Sequence, residues 1–84
     1  MATVTLTEEA VEQLEELPVV IHRRVLKLIE RLENWPAVSG AKPLRGDLAG
    51  LYRLRTGDYR LQFRVIEDVI EVEKIGHRDG FYED

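Results

Sequence analysis

The chain has 84 residues, a formal net charge of −4, 44% hydrophobic and 33% charged residues, and no cysteine. This length supports one modest core, so residues 1–84 are read as a single domain. The missing cysteine excludes a disulfide framework, a thiolate metal site and a cysteine nucleophile, and the net negative charge argues against indiscriminate nucleic-acid binding, which needs a broadly positive surface.

The chain opens on ATVTL, whose β-branched content favours a strand. The run MATVTLTEEAVEQL has no basic leader followed by a long apolar stretch, and no membrane-length apolar segment follows, so a cytoplasmic protein without membrane contact is expected. Thr7 can cap a first helix with Glu8 and Glu9 at its positive end, and Ala10, Val11, Leu14 and Leu17 share one face at helical spacing. Pro18 ends that helix or opens a second one, from about Val19 to Asn34, whose apolar stripe is Ile21, Val25, Leu28, Ile29 and Leu32. Pro36, after Trp35, marks its end. His22 reads as a boundary side chain. Leu32 and Trp35 read as core or as a cap over the helix end, and Trp35 is also a candidate to dock a partner.

Residues 36–50 contain Pro36, Gly40, Pro43, Gly46 and Gly50 and are expected to form a loop. From Leu51 the pattern changes to period two: Tyr52 and Leu54 point one way, Leu51, Arg53 and Arg55 the other. After a turn at Thr56-Gly57-Asp58, Tyr59, Leu61, Phe63 and Val65 share one face and Arg60, Gln62 and Arg64 the opposite one. Glu67-Asp68 makes another turn, and Val69 to Ile75 forms a last strand of unclear parity. The predicted order is β-α-α-β-β-β, an α+β fold in which an antiparallel-dominated sheet carries a two-helix hairpin on one face.

Positive charge is concentrated in the middle of this acidic chain. Residues 42–64 hold Lys42, Arg45, Arg53, Arg55, Arg60 and Arg64 against Asp47 and Asp58 alone. Strand parity puts Arg53, Arg55, Arg60 and Arg64 on the face away from the helices, and two readings of that face are open. One is the solvated side of a half-buried antiparallel sheet. The other is a site for an anion, because like charges facing each other across strands are destabilising and neutral polar residues would solubilise the face equally well. Asp58, Glu71 and Glu73 are candidates to relieve part of the repulsion.

Four segments carry a resemblance to a known family: K-x-L-R-G at Lys42 to Gly46, L-Y-R-L-R at Leu51 to Arg55, G-D-Y-R-L-Q-F at Gly57 to Phe63 and I-G-H-R-D-G-F-Y at Ile75 to Tyr82. In their order and spacing the chain resembles the RelE toxins of type II toxin–antitoxin systems, within the RelE/ParE superfamily, over essentially its whole length. The resemblance implies a RelE-like, microbial ribonuclease-type fold. It implies a ribosome-dependent endoribonuclease that enters the decoding site of the small subunit, cuts messenger RNA there without metal or other cofactor, and is neutralised by a cognate antitoxin, the free toxin being a monomer. By position, Arg53 and Arg55 stand where many members have two basic residues on one strand, often lysines. Arg60 matches the family's arginine that grips the scissile phosphate, Arg78 the arginine after the last strand, and Tyr82 the tyrosine near the C-terminus.

The chemistry is coherent with these assignments. RNA carries its own nucleophile in the 2′-hydroxyl, so cleavage needs in-line positioning, neutralisation of the pentavalent phosphate and two proton transfers. Guanidinium groups bind phosphate bidentately and can hold charge that grows in the transition state, but they stay ionised and carry no protons. Proton transfer is therefore expected to fall to Tyr82 as general base, its phenolate favoured by surrounding cations, and to His77 as a candidate general acid. The alternative for Tyr82 is an ordinary aromatic packed beside Phe81. Lys42 and Arg45 in the loop, and Arg64 on the sheet, are candidate RNA-backbone contacts. Arginine in place of lysine at 53 and 55 keeps the charge but removes an amine whose pKa could be tuned. Two other functions share much of this pattern: a ParE-like inhibitor of DNA gyrase, and a catalytically inert antitoxin-binding module of a repressor complex.

Overall fold

A computed structural model describes residues 1–44 and 50–81. Within them the elements run β1 (Thr3–Leu6), α1 (Glu8–Glu15), α2 (Val19–Arg31), a 3-10 turn (Leu32–Asn34), β2 (Lys42–Pro43), β3 (Leu51–Thr56), β4 (Tyr59–Ile66) and β5 (Val69–His77). The strands form one mixed sheet in the order β1-β5-β4-β3-β2, with β1 parallel to β5 and the remaining pairs antiparallel.

The expected α+β order is present, with three local differences. Lys42–Pro43, expected as loop, adds a two-residue edge strand to β3, and the edge is a position where proline's missing N–H breaks no ladder. The last turn expected of α2 tightens into the 3-10 turn before Trp35. Val11, expected on the buried stripe of α1, is 39% exposed. In a helix of eight residues, Ala10, Leu14 and the following Leu17 already fill the contact with the sheet.

The core lies between the helices and one face of the sheet. Val25, Leu28 and Leu32 from the second helical segment meet Leu54, Leu61, Phe63, Ile70, Val72 and Ile75. Phe63 is fully buried, with Tyr52 stacked beside it at 5.7 Å between ring centroids and Trp35 edge-on to both, at 4.8 Å from Tyr52 and 5.4 Å from Phe63. Such edge-to-face contacts add about 0.5–1.5 kcal/mol beyond the area buried, which makes Trp35 a core cap at the end of α2.

The unclear parity of the last strand has a physical cause. Phe63 pairs with Val72 and Gln62 with Lys74, so Glu73 is an extra residue in β5 and forms a bulge. The bulge shifts the strand's phase. Val72 and Ile75, three apart, both reach the core, and Glu73 and Lys74 are displaced together toward the opposite face. Helix α1 fastens the irregularity, because the Thr7 hydroxyl donates to the Glu73 carbonyl (3.2 Å) and the Ile75 N–H donates to Gln13 Oε1 (2.7 Å). Thr7 also caps α1 by accepting from the Ala10 N–H at 3.1 Å. These side chains satisfy β5 groups lying beyond the end of β1, whose ladder stops at the Leu6–Val72 pair.

Candidate nucleic-acid interface

The face away from the helices carries cations in rows fixed by strand register. One row runs Arg55, Arg60 and Gly76, the next Lys42, Arg53, Gln62 and Lys74, and a third Leu51, Arg64 and Glu71. Strand alternation puts each row on the Arg60 side, because the intervening Leu54, Leu61 and Ile75 are buried in the helix-covered core.

The cations differ in what holds them. Arg64 Nε donates to Glu73 Oε2 at 3.0 Å, and Gln62 Nε2 approaches the other carboxylate oxygen at 3.5 Å. Arg64 is therefore the neutralised member of the set. Arg60 turns its guanidinium to the Gly57 carbonyl (3.1 Å) and the Tyr59 carbonyl (3.3 Å) of the β3–β4 turn. Among the described residues, Lys42, Arg53, Arg55 and Arg60 have no carboxylate within salt-bridge distance. Register also sets like charges directly opposite each other at Arg55–Arg60 and Lys42–Arg53.

Arg78, just past β5, is drawn to the same turn as Arg60. Its backbone N–H donates to the Asp58 carbonyl at 2.6 Å, and its Nε lies 3.8 Å from Asp58 Oδ1 and 3.7 Å from Asp79 Oδ1. Arg60 and Arg78 thus flank Gly57-Asp58 from two strands, with Arg55 opposite Arg60. These three lie at one end of the sheet, and Arg53 sits one row further in.

His77 is placed differently. It pairs with Tyr59 and stands edge-on to that ring at 5.2 Å, in the phase of Ile75 and so on the helix side of the sheet, across from Arg60. Its Nδ1 accepts from the Asp79 N–H at 3.1 Å, and an Asp79 carboxylate oxygen lies 3.5 Å from the same nitrogen. The amide contact needs a lone pair on Nδ1 and the carboxylate contact a proton there, so the two cannot be made at once. Tyr82 and Arg45, both named from sequence, lie outside the described residues.

Lys74 is a side chain of this face that parity does not reveal, and Glu73, expected as a counter-charge to the arginines, pairs with Arg64. The bulge delivers both, and its sequence signal is the pair of core residues Val72 and Ile75 spaced three apart within a strand. Two further residues, Leu51 and Phe81, are buried but stand apart from the main core. A Cβ on Gly76 would lie 3.3 Å from the Phe81 ring, so Phe81 covers Gly76 on the arginine side.

The depressions beside α1 have the opposite character, being lined by Glu12, Glu15 and Glu16 and by Leu6, Glu8, Val11 and Glu12. Polyanions are repelled there and attracted to the sheet. Among the described residues no helix is long and apolar enough to cross a membrane, and no group of three His, Asp or Glu side chains is placed to hold a metal ion.

A two-helix hairpin on one face of a mixed sheet is the architecture of a class of toxins, as comparison with solved structures shows. The chain is similar to a chain of the toxin–antitoxin complex RelBE2 from Mycobacterium tuberculosis, with 32% identity, a TM-score of 0.80 and coverage of 92% of this chain and 98% of that one. It is similar to a chain of the archaeal RelE–RelB complex from Pyrococcus horikoshii at 32% identity, TM-score 0.73, covering 92% and 94%. The isolated RelE toxin of E. coli shares the fold at 22% identity, TM-score 0.78, covering 92% and 84%. Among curated proteins no sequence match is found. The family model described as the ParE toxin of the type II toxin–antitoxin system, parDE, matches residues 4–80, and the chain belongs to this family, within the RelE/ParE superfamily of type II toxins.

Proposed function

We propose that this toxin is a ribosome-dependent endoribonuclease that cuts messenger RNA in the decoding site and so arrests translation. The observation that carries the reading is the row of Arg55 and Arg60, adjoined by Arg53, held on a rigid sheet with no carboxylate partner among the described residues. An unneutralised guanidinium cluster costs stability in the free protein and is satisfied by a phosphate.

In the proposed reaction the 2′-oxygen attacks the adjacent phosphorus, its proton leaves to a base, the P–O5′ bond breaks, and the 5′-oxygen takes up a proton. The products are a 2′,3′-cyclic phosphate and a 5′-hydroxyl. Arg60 and Arg78, converging on the Gly57-Asp58 turn, hold the equatorial phosphate oxygens as charge grows. Arg53 and Arg55 orient the strand by its backbone, and Lys42, Arg45 and Arg64 add contacts at the margins. Tyr82 is proposed as the base. His77, the last residue of β5 and facing Tyr59, falls outside this set. No metal or cofactor is invoked. A cognate antitoxin, like those in the complexes of the similar chains, is the proposed partner, and the cytoplasm the proposed location.

The test is primer extension on messenger RNA incubated with the protein and programmed ribosomes, alongside naked RNA and the Arg60→Ala and Tyr82→Phe variants. Cuts at the decoding position that need the ribosome and both residues support the reading, and intact RNA under all conditions refutes it. One observation favours a second reading, inhibition of DNA gyrase: the matching family model is described by its ParE members. Loss of gyrase supercoiling with intact RNA decides for that function.

A further inference from the structure

We infer that Lys74 is a positioning residue: it fastens the C-terminal turn, Arg78 to Phe81, across the arginine face and thereby sets the groups that turn presents to RNA. The inference rests on the ribonuclease reading for its catalytic consequence and on geometry alone for the clasp itself.

Lys74 reaches this face because the bulge at Glu73 shifts the phase of β5, so that it pairs with Gln62, in the row next to Arg60. Its Nζ donates to the Phe81 carbonyl and sits over the Phe81 ring, 4.7 Å from the centroid. One ammonium therefore holds both the backbone and the side chain of the same residue. The ring is buried to 2% exposure against Gly76, whose missing side chain makes the room, since a Cβ there would stand 3.3 Å from Phe81 Cδ1. At its other end the turn is tied by the Arg78 N–H to the Asp58 carbonyl, and the Phe81 N–H closes it onto the Arg78 carbonyl at 3.3 Å.

One end of the turn is thus anchored to Asp58, between the strands that carry Arg55 and Arg60, and the other to Lys74 of β5, the neighbour of the Arg60 strand. The ammonium thus fixes Phe81 at the end of the turn and, through the turn, the placement of Arg78 at its start. Lys74 is a poor candidate for a direct phosphate contact while its ammonium is occupied by Phe81. Its effect passes through the turn, and the expected signature is a loss in kcat with little change in KM.

The experiment compares the full chain with Lys74→Met, which keeps the stem but loses donor and charge, and Lys74→Arg, which keeps both. Messenger RNA cleavage on programmed ribosomes is read together with hydrogen exchange at the Phe81 amide. The expected result is that Lys74→Met lowers kcat about tenfold, changes KM by less than about twofold, and speeds Phe81 exchange about tenfold, while Lys74→Arg restores most of each. An unchanged kcat and exchange rate in Lys74→Met overturns the inference, as does a raised KM at constant kcat, which would make Lys74 a substrate contact. If the parent chain leaves RNA intact, the ribonuclease reading fails separately. Exchange at Phe81 then decides the clasp alone, with equal rates in parent and Lys74→Met overturning it.

Discussion

Arg55→Gln is expected to stabilise the free protein while impairing it as a toxin. Arg55 and Arg60 oppose each other directly between β3 and β4, and neither has a carboxylate among the described residues. Two unit charges a few ångströms apart repel by about 1 kcal/mol in water, and like charges directly opposite across strands cost about 0.2–1 kcal/mol. The Arg60 guanidinium is turned to the carbonyls of Gly57 and Tyr59, which partly separates and solvates the charges. The gain should then be about 0.3–0.8 kcal/mol, or about 1–6 °C in Tm for a domain of this size. Arg64→Gln should have the opposite sign, because it breaks the 3.0 Å contact with Glu73, a pair partly exposed at 41% and 24%. Its loss is about 0.5–1 kcal/mol after allowing for solvent screening. The assay is thermal unfolding by circular dichroism at about 20 mM and about 0.5 M salt, where screening lengths differ several-fold, and both shifts should shrink at the higher salt. A fall or no change in Tm for Arg55→Gln at low salt would refute the argument that the site arginines repel one another.

Other expectations concern the frame of the site. Phe63→Ala removes the buried ring against which Trp35 and Tyr52 pack and should cost about 3–5 kcal/mol, read as a fall in the urea midpoint and a change in Trp35 fluorescence. Thr7→Ala removes the cap of α1 and the hydroxyl bound to the Glu73 carbonyl, for a loss of about 1–2 kcal/mol at unchanged urea m-value. Glu67 sits at φ +53 in the β4–β5 turn, so Glu67→Gly should raise stability by about 0.5–1 kcal/mol, seen as a higher Tm with RNA cleavage unaffected.

Most of the fold is legible in the chain because its two periodicities are clean. The alternation through Leu51–Thr56 and Tyr59–Ile66 needs no tertiary information to assign, and Leu54, Leu61 and Phe63 are buried where it puts them, Leu51 being buried on the opposite face. The last strand is different, since a bulge depends on what packs at its edge, and the Thr7 and Gln13 side chains that fasten it come from more than sixty residues earlier. Lys74 was illegible as a site residue for that reason, whereas Glu73, named from sequence as a candidate to relieve the arginine repulsion, does so by pairing with Arg64. The parallel pairing of β1 with β5 is equally non-local, because β-branched content specifies a strand and not its neighbour. The concentration of arginines is readable from sequence, but which of them is neutralised depends on register: Arg64 finds Glu73 across the ladder, and Arg53, one strand over, faces Gln62. His77 shows the converse, a residue whose chemistry suits a proton donor and whose strand phase carries it to the other side.

The bond between Thr7 and Glu73 and that between Gln13 and Ile75 span 66 and 62 residues. Joining such distant segments carries a large loop-closure cost that local helix and hairpin formation does not. During synthesis, α1, α2 and the β3–β4 hairpin can form as they emerge, whereas β5 reaches β1 only after all the elements between them have been made. Lys74 lies on β5 and Arg78 just past it, so the arginine face is incomplete until β5 has been made and paired, and with it the phosphate-binding surface proposed above. Assembly order thus separates the making of the toxin from its use.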